Sequence, residues 1–600
     1  MALSAVKRFS KGLFGPGRIL LAAFFSFAMV FGAAFDEQGA CTQLFSSTGQ
    51  TAATLAELAA LLALGLLLQQ VLFGAADALR SRPGKKKRAC AGALGKLAAL
   101  QEAPAIAAAR TAVRFVFEEH PFGGTWVLLF VCYLPAIIGF APGLFMGDTV
   151  YMLEGWFNVE NWHSSHIVLL DPNILLTQHH PVLYNALLGA LVQAGQALTG
   201  SSNAGIYVMT ALQVALVLSI LAYSFSVLAR MRVRVGLRVA LAVLLVAMPL
   251  YGDYLMLVTK DSPFAFGVLL LCMCLALFGS GRGRRKDWAV AFGAALLVTF
   301  TRNGGWLFAA GGLVVLAVIC RGRKRAAAAG MAVACFALSF ALSNVLLPSL
   351  GISPSSTREV LSVPFQQTAR YLVEHPNDVT DEEREAIDAV LGFDGLADSY
   401  YALMSDPVKD RYNKYTTSSQ LKAYFAAWAS MGLRHPDSYA FATMNNYYGY
   451  FFPGYRSANI YSYGWSQYKM QCVNEEGGFN FSTAGNPLSD WLGPVCGAYL
   501  EGFCAVPVLN IVAKPALYCW LLLLLISYCV KRRIRMQYAP LVVCTLVLLV
   551  CFIGPCNANI YARYAFPIMA ATPFMLCLLF TKKPGRAQRT LKRRRGKRAR

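Results

Sequence analysis

Apolar residues along this chain come in long runs separated by short polar breaks. Most runs are roughly 17–25 residues long, the length at which an α-helix crosses the hydrocarbon core of a bilayer. They predict spans at 19–35, 52–74, 126–142, 205–229, 237–257, 262–279, 287–301, 304–320, 326–347, 506–530, 538–554 and 562–580. The expectation is therefore an all-α polytopic membrane protein, a bundle of about twelve transmembrane helices. Two long mixed segments interrupt the pattern, at 143–204 and 348–505. One further apolar run, 182–198, lies inside the first of them, and length alone does not decide whether it crosses.

Charge decides it. Lys and Arg sit in short clusters at 7–18, 80–88, 230–238, 282–286, 321–325 and 531–535, and in the tail at 591–600. Such clusters belong on the cytoplasmic side of a membrane. If 182–198 crossed, the cluster at 230–238 and most later ones would fall outside. With 182–198 as a juxtamembrane helix at the outer interface, every cluster and both termini fall inside. The chain then reads as a multi-pass protein of the plasma membrane.

Five regions follow. Residues 1–118 hold two N-terminal spans and a basic cytoplasmic linker, with 89–118 an amphipathic helix on that side. Span 19–35 resembles a signal peptide, with small residues at Ala33 and Ala34, and its cleavage would leave the later topology unchanged. Residues 119–347 form a membrane core whose first outer loop is 143–204. Residues 348–505 form a large, mainly helical outer domain with an acidic helical stretch (381–390) and a Tyr/Trp/Gly-rich part (439–468). Residues 506–581 supply the last three spans, and 582–600 a basic cytoplasmic tail.

Composition supports one membrane domain: 56% of the 600 residues are hydrophobic and 14% charged. A net charge of +23 would suit a nucleic-acid partner. Its confinement to clusters between apolar runs argues against one, and the tail suits anionic lipid headgroups instead. Most of the 16 cysteines lie inside apolar runs as small hydrophobes. Cys272 and Cys274 make only a weak CxC. Cys472 and Cys496, in the outer loop, can pair in an oxidising compartment.

The polar residues beside the spans collect on the outer side, and ionisable groups at membrane depth are costly enough to suggest function. Asp148 follows the third span, with Glu154, His163, His166 and Asp171 after it. Gln178, His179, His180 and Pro181 precede the juxtamembrane run. Lys260 and Asp261 occupy one outward turn, and Arg302 and Asn303 another. Gln366, Gln367 and Arg370 open the large loop. Arg563 and Tyr564 begin the last span. Carboxylates can act as general base or metal ligand. Arg302, Arg370, Arg563 and Lys260 can bind a phosphate, Arg in bidentate fashion. His179 and His180 can bind phosphate or act as an acid. Tyr151, Trp156 and Tyr184 can stack on a sugar. Each element also has an ordinary reading. Asp148 can cap a helix, Pro181 can start one, Lys260 and Asp261 can form a local ion pair, and Arg302 can snorkel. His163 and His166 read first as surface residues, although two His at i and i+3 with Asp171 nearby could bind a metal on weak spacing. Asp253 and Glu57 lie near the outward ends of spans. No resident metal is expected from these spacings, although a divalent metal is possible at the carboxylates.

This order of motifs resembles the GT-C superfamily of membrane glycosyltransferases, and more closely a bacterial family of uncharacterised membrane proteins assigned to it. The matching features are Gly147, Asp148 and Thr149; Gln178, His179, His180, Pro181 and Tyr184; Lys260 and Asp261; Arg302, Asn303 and Gly304; Pro364, Gln366, Gln367 and Arg370; Tyr448 to Pro453; and Arg563 with Tyr564. They cover about residues 124–580. The resemblance implies transfer of a sugar from a polyprenyl-phosphate donor to an extracytoplasmic glycan, lipid or protein acceptor, by an inverting displacement. It implies that Asp148 is the base and Asp261 a second acidic group. Arg302, Arg370 and Arg563 are implied as donor-phosphate contacts. It also implies juxtamembrane helices in the first outer loop. The chain departs from the superfamily where an acidic pair is usual, having Asp148 alone, and spans 19–35 and 52–74 are additions before the core. Two other readings of the outward residues stand beside this one. A transporter or flippase of lipid-linked sugars would use them as a vestibule, but would also carry polar residues near the midplane. A non-catalytic envelope scaffold would use the 348–505 domain to bind partners.

Overall fold

A computed structural model describes residues 15–80, 104–455, 471–474, 479–482, 486–553 and 561–581. The basic residues 81–88, much of the Tyr/Trp/Gly-rich part, the side chain of Cys472 and the tail at 582–600 lie outside the described residues.

The apolar runs fold as helices. Helix α1 (Pro16–Gln38) starts on a proline, whose missing N–H costs nothing in a first turn, and ends at Gly39 in the left-handed region (φ 66°). It pairs antiparallel with α2 (Thr48–Arg80), where Arg18 meets Gln70 and Ser26 meets the carbonyl of Leu58. Helix α3 (Pro104–Arg114) runs through one π-helical turn and bends by 119° into α4 (Gly123–Gly139). Then come α5 (Gly147–Trp156), α6 (Val182–Thr199) and the long α7 (Ser202–Arg230). Helices α8 (Val235–Ala247) and α9 (Pro249–Met256) form a pair bent by 66°. The continuous span expected at 237–257 is thus broken, because Pro249 cannot donate back to the preceding turn.

Helix α10 (Asp261–Gly279) is the axis of the bundle. It is apolar all round and buried along nearly its whole length, as a helix enclosed on every side must be. Helices α11 (Asp287–Phe300), α12 (Gly305–Ile319) and α13 (Arg323–Phe340) follow as a packed series. After the outer segment come α18 (Pro487–Ala505), α19 (Pro507–Ala513), α20 (Pro515–Lys531), α21 (Tyr538–Cys551) and α22 (Tyr561–Leu578). The expected span at 506–530 is divided, since prolines begin both α19 and α20. Helix α18, expected in the outer domain, packs along α4: Ser489 donates to the Ile138 carbonyl, and Tyr499 reaches the carbonyl of Ala247. It meets α19 at a bend of 107°.

Among the described residues, five helices are long and apolar enough to cross a membrane, or up to eight if each bent pair counts as one. The chain is a helical membrane protein. Helix α6, which charge assigned to the interface, is not among those helices. It folds back on α7 through Gly200 (φ 73°), and the two helices meet at Gly195 and Gly205. A Cβ on Gly205 would come within 2.2 Å of the Leu191 carbonyl oxygen, so the pair needs glycine there.

Among the described residues, the basic clusters at 230–238, 282–286 and 531–535 make contacts at the ends of their helices. Arg230 pairs with Asp287 at 2.6 Å, Arg282 donates to the carbonyl of Met231, and Arg532 pairs with Asp77. Helix α10 ends at Gly279 near this group and starts at Asp261, so the opposite end lies about 28 Å away along a 19-residue helix.

Between the bundle halves, α14 (Ser362–Glu374), α15 (Asp381–Leu391), α16 (Ser418–Arg434) and α17 (Pro436–Tyr447) form a small helical unit. Its own core includes Phe365, Ile387, Tyr424 and Met431. Reciprocal caps start α15 (Thr380 with Glu383) and α16 (Thr417 with Gln420). Two short strands, β1 (Gln471–Asn474) and β2 (Phe479–Ser482), pair antiparallel.

Candidate functional site

Five charged side chains from four separate parts of the chain meet at the end of α10 away from the basic clusters. Asp148 lies in the first turn of α5, where a carboxylate suits the helix N-terminus. Its Oδ2 accepts from Lys260 and from Arg563, and its Oδ1 from Arg563 Nη1 at 3.4 Å. Arg563, on α22, reaches the other way through Nε to Asp261 Oδ2 at 2.8 Å. Arg302, in the turn before α12, completes the chain by donating to Asp261 Oδ1 at 3.3 Å. The order is thus Lys260, Asp148, Arg563, Asp261, Arg302. Asp261 is 3% exposed and Asp148 19%, so a carboxylate open to one side is anchored on one that is fully enclosed.

Three cations face two carboxylates, which leaves one positive charge in excess. Burial by itself raises the Asp148 carboxyl. Arg563, Lys260 and His180 outweigh it and hold the group well below the usual carboxylate range. Asp148 is therefore an ionised, paired carboxylate in this arrangement. Lys260 is lowered, first by burial, although Asp148 and Asp261 oppose the shift. Tyr564 packs near the guanidinium groups of Arg302 (5.4 Å) and Arg563 (5.5 Å).

The histidines adjoin this cluster. His180 Nδ1 lies 2.7 Å from Lys260 Nζ and 3.9 Å from Asp148 Oδ2. Asn303 donates through Nδ2 to the carbonyls of Gln178 (2.8 Å) and His179 (2.9 Å), and so fixes the loop that carries the pair. Its side chain is spent on backbone, which makes it a positioning residue. His163, expected at the surface, is buried and stacks on His179 with ring centroids 3.5 Å apart. Both nitrogens of His163 and Nε2 of His180 have no hydrogen-bond partner. Each such buried group costs about 1–3 kcal/mol. Burial pushes His163 down to about 2 and His179 to about 3, and lowers His180 far below its ordinary value, so all three rings are neutral.

His166 and Asp171 do not join them. His166 Nδ1 bonds the Trp162 carbonyl, and Asp171 caps its own turn at Asn173. Gln366, Gln367 and Arg370 are also elsewhere, on α14. Gln366 donates to the carbonyl of Tyr401, Gln367 to Thr443, and Arg370 pairs with Glu374 and with the carbonyl of Gly39. These three brace the outer helical unit and touch none of the five charges. The expected phosphate contact at Arg370 is therefore corrected.

One group escaped the sequence reading. Arg358 is 1% exposed, lies over the Trp162 ring at 4.4 Å and pairs with Glu359 and Asp410. Lys409 pairs with Glu359 and Asp406. Burial alone would lower Lys409, but the two carboxylates raise it above its ordinary value. This network clamps the start of the outer segment onto the loop that carries His163. Nothing in local spacing marks it, because its members are separated by up to 248 residues.

Two apolar recesses flank the bundle, and neither is the ion cluster. The larger, about 1030 Å³, runs between α1, α20 and α21 and reaches Tyr448 and Phe552. The recess beside His180, Arg302 and Asn303 is about 40 Å³, room for a water-sized group. The ion cluster lies beside this recess, with Asp148 its partly open carboxylate. No curated protein and no solved structure matches the chain. A family model described as a family of unknown function, DUF6020, matches residues 17–595, and the protein belongs to that family.

Proposed function

We propose that the protein is a membrane glycosyltransferase of GT-C type, which moves a sugar from a polyprenyl-phosphate donor to an acceptor outside the membrane. The observation that carries this reading is the partly buried chain of five charges, three cations and two carboxylates among the described residues. Such a site takes up an anionic phosphate, and two arginines offer planar donor pairs for its oxygens. In this reading the donor phosphate draws Lys260 and Arg563 away from Asp148. The released carboxylate then accepts the proton of the acceptor hydroxyl as its oxygen attacks the anomeric carbon. The sugar–phosphate bond breaks, and the polyprenyl phosphate leaves with the electron pair. Arg302 stabilises the charge that develops on the leaving phosphate.

The proposed topology has about twelve spans, with the four shorter apolar helices and α22 crossing as well and α18 with α19 forming a re-entrant hairpin. The site then faces the outside of the plasma membrane and both termini the cytoplasm. The large apolar groove suits a prenyl or acyl chain.

The test is the purified protein with a radiolabelled polyprenyl-phosphate sugar pool and cell-envelope acceptors. Label should move to an acceptor with the parent protein, and Asp148→Asn should reduce transfer at least about 100-fold. Undiminished transfer by that variant refutes the proposed base. Passage of intact donor across a vesicle membrane, without transfer, would favour the flippase reading.

A further inference from the structure

His163 sits on a one-turn helix (Trp162–Ser165) started by Asn161, and His179 and His180 end the loop before α6. One ring nitrogen from each lies within 4.8 Å of the others. His163 is 7% exposed and His180 4%, and three of their four ring nitrogens have no partner, apart from the contact of His180 Nδ1 with Lys260. Two buried rings with unpartnered polar atoms thus lie together with the half-buried His179 in one cluster.

We propose that His163, His179 and His180 form a binding site for a divalent transition metal, with zinc the best match. Three imidazoles and no thiolate form a set that suits zinc and leaves a fourth position open. A neutral imidazole is the form that ligates a metal. Tetrahedral zinc with Zn–N of about 2.0–2.1 Å sets the nitrogens roughly 3.3 Å apart, so the cluster must tighten on binding. Stacked rings point their lone pairs in parallel. The stack of His163 on His179 must therefore open, and His179 is the member with room to turn.

His180 links this site to Asp148. In the structure Lys260 donates to Nδ1, which leaves the neutral ring's proton on Nε2. Ligation through Nε2 needs that proton on Nδ1, where the nearest carboxylate is Asp148, now 3.9 Å away. Metal binding therefore sets a carboxylate–histidine–metal arrangement in which Asp148 orients His180. Lys260, a cation beside the site, opposes the metal. This proposal stands whether or not the chain transfers a sugar.

The test is metal content of the full chain, purified in detergent with a tag free of histidine, stripped with chelator and equilibrated with Zn²⁺ or Co²⁺. The parent should hold about one metal per chain and show the visible band of tetrahedral Co²⁺. His163→Phe keeps the ring stack and removes the ligand, and it should lower affinity at least about tenfold, as should His179→Phe and His180→Asn. Lys260→Met should raise affinity. A parent that retains no zinc and is not stabilised against heat by it overturns the proposal. So do three histidine variants that bind as the parent does. If a variant fails to fold, loss of the zinc-dependent rise in Tm of the parent on adding chelator still decides the outcome.

Discussion

The side-chain amide of Asn303 donates to the carbonyl of His179 at 2.9 Å, across 124 residues of chain. The turn between α11 and α12 thus holds the loop before α6. Asn303→Ala removes this bond and its companion to Gln178, and should cost about 1–2 kcal/mol. The loop should loosen while the bundle stays folded. The expected outcome is a modest drop in Tm with a larger drop in transfer and in metal affinity. Equal parent-like values in all three would refute the positioning role.

Asp261 is the enclosed member of the charge chain, held by Arg563 and Arg302. Asp261→Asn removes the carboxylate that Arg563 and Arg302 share, and breaking such an enclosed pair costs about 3–5 kcal/mol. Asp148→Asn, at a more open carboxylate, should cost less stability and more activity. Thermal unfolding of both variants in detergent, beside transfer assays, separates the two roles. A smaller loss of Tm in Asp261→Asn than in Asp148→Asn would contradict the assignment.

Acid should destabilise the protein through the histidines. His163 and His179 are held at about 2 and about 3 by burial, below the ordinary value of 6.5. The unfolded chain therefore binds protons that the folded chain does not, and stability falls as pH drops below about 6.5. Each ring contributes at most about 1.4 kcal/mol per pH unit in that window. Asp148 is lowered as well, from a lower range: its stabilisation is present above about 4 and is lost as pH falls below that. Tm measured from pH 7.5 to 5 should fall, and His163→Phe should flatten the slope. An unchanged slope in that variant would sink the argument.

The hairpin of α6 and α7 depends on Gly205. Gly205→Ala forces a methyl group against the backbone at Leu191 and Val192, an overpacking that costs about 1–3 kcal/mol. Because α6 begins next to His180, displacement should reach the site. A lower Tm accompanied by lower zinc affinity is expected, and parent-like packing would show as no change in either.

Topology is open to direct labelling. Cysteines introduced at Ser201 and Arg234, both exposed, sit at opposite ends of α7. An impermeant thiol reagent added outside intact cells should label Ser201→Cys and not Arg234→Cys. Labelling of both from one side would break the proposed arrangement.

The sequence by itself determined the helical membrane class and the approximate positions of the helices. Run length and charge clusters are local properties, and a bilayer reads them locally. They are the grounds on which 182–198 is proposed as an interfacial helix. The breaks at Pro249, Pro507 and Pro515 were also visible as prolines, but their consequence was not, since a proline inside a span can be tolerated when neighbours satisfy the freed groups. Asp148, Lys260, Asp261, Arg302 and Arg563 were chosen as outward polar residues. Only the tertiary structure decided that they touch each other while Arg370 touches Glu374 instead. It alone brought His163 onto His179 and Arg358 onto Trp162. Contacts between residues far apart in the chain depend on how helices pack around α10, and no local pattern of residues records that packing.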